Sequence, residues 1–199
     1  RAAAAGLRAT PRAPPRAPGK ASPAWREQIA RMETPNAPNH GYGERGPAGH
    51  SPLGRYQMNR QTLEEGGWRT RSGAWTERAA QFGVTDNATF LNNPAAQEAA
   101  LNDVLRSYER QLRHYRAFDR VGGDVIGIRG DRIPITEAGL VAAAHREGAP
   151  TVRDYLAHRA ANLPAPVSVP GVRSDLSKFN MIEERLRRFA NIPYERLSR

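Results

Sequence analysis

The chain has 199 residues, 39% of them apolar and 25% charged, enough for one domain with a real hydrophobic core plus appendages. No apolar run approaches the roughly 18 residues of a membrane span, and the lack of cysteine excludes disulfides and thiolate chemistry. The net charge of +10 is uneven: residues 1–23 carry five bases and no acid, residues 24–170 carry 18 bases against 16 acids, and residues 171–199 seven against four. A duplex-binding protein wears its basic footprint on the fold itself. This distribution therefore argues against a nucleic-acid partner, while a mildly basic surface suits an anionic cell wall.

Residues 1–22 read as a basic linker. Residues 1–23 hold eight alanines and five prolines without apolar periodicity, the composition of a semi-rigid extended segment. A chain that starts at Arg1 is expected to be a module of a longer protein. The first helix is predicted to begin near Ser22, with Pro23 in the first turn. Trp25, Ile29 and Met32 then make one apolar stripe, and Thr34-Pro35 ends it. From Asn36 to Pro52, a stretch rich in Gly, Pro, Asn and His predicts a long loop. A short helix follows over Asn59–Glu65, closed by Gly66-Gly67.

The clearest element runs from Pro94 to about Tyr115, capped by Asn93. Leu101, Val104, Leu105, Tyr108, Leu112 and Tyr115 form a stripe wide enough for a central buried helix. Residues 121–135 predict a β-hairpin turning at Arg129-Gly130-Asp131. Thr136 caps a helix through Ala144 that stops at Gly148, and Thr151-Val152-Arg153-Asp154 reads as a capping box opening another. Residues 161–172 are expected to be extended, and Ile182, Leu186 and Phe189 mark a last amphipathic helix. The sum is a mainly α fold with at most a small β-hairpin.

Glu33 falls four residues after Ile29, at the edge of the apolar stripe and in the last helical turn. A partly desolvated carboxyl at the negative end of a helix is suited to hold a proton and deliver it to a glycosidic oxygen. Alone, a Glu at a helix end is more often a solvated surface group. His40, Glu44 and His50 share the long loop and offer zinc-ligand side chains, but the loop gives no rigid scaffold and no HExxH occurs. A metallopeptidase and a non-catalytic wall-binding or nucleic-acid-binding module are the rival classes.

Four patterns stand in order: Glu33-Thr34 at a helix end; Gly54-Arg55-Tyr56-Gln57-Met58; Leu91-Asn92-Asn93-Pro94-Ala95-Ala96-Gln97 opening the long helix; and Ala144-His145-Arg146-Glu147-Gly148. This order resembles the lytic transglycosylase and goose-type lysozyme family of the lysozyme-like superfamily, over roughly residues 24–160. The resemblance implies a lysozyme-like catalytic domain at 23–165 with a helical extension over 166–199. It also implies cleavage of the MurNAc–GlcNAc β-1,4 bond of peptidoglycan without a cofactor or metal. Glu33 would be general acid and base; Gly54, Tyr56, Gln57 and His145 would meet the sugar; Glu44 and Asp86 are candidates for a second carboxylate. With one Glu sufficing, a 1,6-anhydroMurNAc product is expected ahead of hydrolysis.

Departures are plain. Thr34 replaces Ser, Arg55-Tyr56 replaces Leu-Met, Gln97 stands at an Asn position, and His145-Arg146 replaces Tyr-Asn. They imply a divergent branch, as in phage tail lysins or secreted antibacterial effectors acting in the periplasm or outside the cell. Its partners would be glycan strands and an immunity or delivery protein.

Overall fold

Helix α1 (Pro23–Glu33) starts where Ser22 accepts a hydrogen bond from the Trp25 amide at 3.2 Å and Pro23 supplies a first-turn φ. Trp25 and Ile29 are fully buried, and Thr34 caps the end through its amide to the Ala30 carbonyl. The computed structural model describes residues 22–46, 52–167 and 175–198; most of the linker, His50 and residues 168–172 of the expected extended stretch lie outside them. Within the described residues the chain is mainly α, with eight α-helices and one two-stranded antiparallel hairpin.

After a 3-10 turn (Pro38–Gly41), α2 (Arg60–Glu65) is capped by Asn59 and ends at Gly66. Two short helices, α3 (Glu77–Ala80) and α4 (Asn87–Leu91), were not anticipated. The second has a local cause, because Asp86 and Thr89 form a reciprocal capping box. Helix α5 (Pro94–His114) buries Leu101, Val104, Leu105, Tyr108 and Leu112 on one face. Each such buried side chain contributes roughly 1.5–3 kcal/mol relative to exposure. The hairpin of β1 (Asp124–Ile126) and β2 (Arg132–Pro134) pairs Val125 with Ile133.

Helix α6 (Glu137–Glu147) is more enclosed than α5, with every residue from Ala138 to His145 buried. Five of these are alanine or glycine, so α5, α7 and α8 can approach from different sides. A β-carbon on Gly139 would lie 3.2 Å from the Leu186 Cα of α8. Helix α7 (Ala149–Ala160) begins two residues before the predicted capping box at Thr151. Gly148 at φ +81° makes the turn and Pro150 sits in the first turn, while Thr151 lies inside the helix.

Helix α8 (Asp175–Arg188), placed by sequence in an extension, buries Phe179, Ile182 and Leu186 in the same cluster as α1, α5 and α6. Its most extensive packing partner is α6. The segment after α8 is fastened too. Fully buried Glu109 accepts hydrogen bonds from Tyr194 Oη at 2.6 Å and from the amides of Leu197 and Ser198 at 2.9 and 2.7 Å.

Candidate active site at the end of helix α1

Glu33 closes α1 with its side chain 10% exposed. Its Oε1 accepts from Arg185 Nη2 of α8 at 2.7 Å, and its Oε2 lies 3.8 Å from Arg146 Nη1 of α6. Its burial agrees with the expected partial desolvation, while the two guanidinium groups that bracket the carboxylate were not part of the sequence reading. It opens on a cleft of about 420 Å³ lined by Arg31, Glu33, Arg146, Glu184, Arg185 and Arg188 among others.

His145 is buried beside this pair, its ring edge-on to Trp25 at 6.5 Å. Neither ring nitrogen has a hydrogen-bond partner. Burial pushes its pKa down from 6.5 to about 4; the negative charge of Glu33 opposes this and the positive charges of Arg185 and Arg146 add to it.

The four sequence patterns form one connected unit. The Thr34 hydroxyl lies 3.2 Å from the Arg55 carbonyl. The Arg55 amide donates to Gln97 Oε1 at 3.0 Å. Gln97 Nε2 in turn lies 3.0 Å from the carbonyls of Tyr42 and Phe90, and Arg146 reaches Glu33. Gly54, at φ +73°, lets the turn lie against Gln97. Arg55 completes the tie to α1 by pairing with Glu27 at 2.6 Å.

None of the residues expected to meet the sugar, Gly54, Tyr56, Gln57 and His145, is among those lining the cleft on which Glu33 opens. Tyr56 is fully buried and donates to Glu98 Oε1 at 2.6 Å, so its hydroxyl faces a protein carboxylate rather than open solvent; burial raises its pKa. Tyr42 and Arg26 join the same Glu98. Gln57, at φ +46°, turns its amide back onto the Gly54 carbonyl at 2.9 Å. Asp86 is exposed and spends its carboxylate on the Thr89 amide at 2.7 Å, and that hydrogen bond lowers its pKa. Glu44 is half-buried, and its backbone carbonyl receives the Gly54 amide at 2.8 Å. His50, the third zinc candidate, lies outside the described residues, and among those described no three His, Asp or Glu side chains converge as a metal would need.

Sequence reasoning missed Arg185, Glu184 and Arg188. For Arg185 a signal existed: it sits three residues after Ile182 and four before Phe189, on the apolar face of its helix, where a charge needs a partner. Among the described residues no helix is long and apolar enough to cross a membrane. No protein-family model matches the chain, and comparisons with curated proteins and with solved structures return no match.

Proposed function

We propose that the protein is a lysozyme-like glycosidase of the bacterial cell wall, cutting the MurNAc–GlcNAc β-1,4 bond of peptidoglycan with Glu33 as general acid and then base. The observation that carries this reading is the convergence of the four motifs. Residues spread from Glu33 to Arg146 are tied into one hydrogen-bonded and ion-paired unit, and the acidic member of that unit opens on a cleft.

In the proposed reaction Glu33 gives its proton to the glycosidic oxygen as the C1–O bond breaks, and the electron pair leaves with the GlcNAc hydroxyl. The C6 hydroxyl of muramic acid then bonds to C1 and returns its proton to the Glu33 carboxylate. A tethered nucleophile of this kind gains a large effective molarity over water, and the product is 1,6-anhydroMurNAc. The arrangement of Asp86, whose carboxylate caps α4, favours this route over one in which Asp86 activates water. The strands would be met in the periplasm or outside the cell. Release of soluble muropeptides from purified sacculi by the wild-type protein, and its loss in Glu33→Gln, tests the reading; binding to sacculi without release would make this a wall-binding module.

A further inference from the structure

We propose that Arg185 of α8 is the positioning residue for Glu33, which makes this last helix an obligatory part of the catalytic unit; the proposal rests on the glycosidase reading above. Helix α8 lies beyond the four motifs, and nothing in their spacing assigns it a role.

The side chain of Arg185 is 4% exposed. A buried guanidinium is costly unless it is paired and hydrogen-bonded, and the pairing observed is with Glu33 Oε1 at 2.7 Å. Nη1 rests 3.2 Å from Met32 Sδ, one residue before Glu33 on α1. Nε is buried and has no acceptor. Arg146, the second guanidinium, is 39% exposed, stands 3.8 Å from Glu33 and is shared with Glu147 at 3.7 Å, so it holds the acid less closely than the buried Arg185.

The geometry divides the two oxygens of Glu33. Arg185 holds Oε1, which can accept that hydrogen bond as a carboxylate or as the carbonyl oxygen of the neutral acid. The other oxygen, Oε2, is left to carry the proton toward the glycosidic oxygen. When the proton departs, negative charge develops 2.7 Å from a guanidinium that is already fixed; a preorganised charge stabilises a transition state without further reorganisation. The other charged or titratable groups around Glu33 are Arg31 on α1, His145 and Arg146 on α6, and Glu184 and Arg188 on α8. Arg185 touches the acid and needs no contact with the sugar.

The test uses the full chain on purified sacculi, with initial rates against sacculus concentration for wild type, Glu33→Gln, Arg185→Met and Arg185→Lys, each checked for folding by circular dichroism. Arg185→Met keeps the packing and removes the charge and fork. Its kcat should fall on the order of 10- to 100-fold, the scale of a displaced catalytic group, with apparent KM unchanged. Arg185→Lys returns the charge without the planar fork and should recover part of that loss. If Arg185→Met does not fold, Arg185→Lys carries the test alone, with reduced kcat at unchanged KM as the supporting result. A folded Arg185 variant with wild-type kcat, or one that raises KM at unchanged kcat, overturns the proposal while inactive Glu33→Gln leaves the glycosidase reading in place. Inactive wild type, or active Glu33→Gln, overturns that reading and this proposal with it.

Discussion

A β-carbon on Gly54 would stand 2.0 Å from Gln97 Oε1. Gln97 is fully buried and its head group is held on both sides, by the Arg55 amide and by the Tyr42 and Phe90 carbonyls, so it has nowhere to retreat. Gly54 also adopts φ +73°, a region that costs an L-residue roughly 1–2 kcal/mol before any collision. Gly54→Ala should therefore lose about 3 kcal/mol in urea denaturation. A loss under about 0.5 kcal/mol, the range of ordinary surface substitutions, would show that the turn and the long helix are not locked together.

His145 gives stability a pH dependence whose sign is fixed. Its pKa in the folded protein, about 4, lies below the ordinary 6.5 because burial disfavours the imidazolium. The unfolded chain takes up a proton that the folded one refuses. This contribution to stability is thus intact above pH 6.5, declines as the pH falls toward about 4, and levels off below it. The full loss is on the order of 3 kcal/mol. Urea midpoints measured from pH 7 down to pH 4 should fall less steeply in His145→Phe, which keeps a ring against Trp25. Identical pH dependence in the two proteins would place the acid sensitivity elsewhere.

How much of this was legible in the sequence depended on how local the cause was. Helices α1, α5 and α6 were readable because Ser22, Asn93 and Thr136 cap them in fact, α2 because it stops at Gly66, and in α1 and α5 the apolar spacing reports one buried face. Helix α3 has four residues and no side-chain cap, so tertiary packing rather than propensity holds it. The start of α7 was misjudged because Thr151 looked like a cap, while Gly148 and Pro150 offered a stronger turn and first-turn pair. Glu33, His145 and the Gly54 turn could be nominated from motif order. Arg185 could not be matched to Glu33, since a pairing across 152 positions leaves no local pattern. Its place on an apolar face showed only that it needed some partner.

The cleft carries a carboxylate that motif order did not nominate. Glu184 lines it together with Glu33 and pairs with Arg188 at 3.0 Å. Hydrolysis commonly uses a second carboxylate to activate water or act as nucleophile, whereas the proposed anhydro route calls on Glu33 alone. Glu184→Gln, Glu44→Gln and Asp86→Asn should each keep at least about half of the wild-type rate on sacculi, because none would be a group acting in proton transfer, whose removal costs roughly 100-fold or more. A Glu184→Gln protein that folds and is nearly inactive, with reducing-end products from wild type, would assign Glu184 as the water-activating base.

The most direct test of the central claim is mass spectrometry of the soluble products released from purified sacculi by wild type and by Glu33→Gln at equal concentration. The account predicts muropeptides ending in 1,6-anhydroMurNAc from wild type, each one water lighter than its hydrolytic counterpart. It predicts at least a 100-fold smaller yield from a folded Glu33→Gln, since the amide keeps the shape and has no carboxylic proton to give. Fragment release by Glu33→Gln within about tenfold of wild type would contradict Glu33 as the acid, and the absence of any soluble glycan from active-concentration wild type would contradict the glycosidase itself.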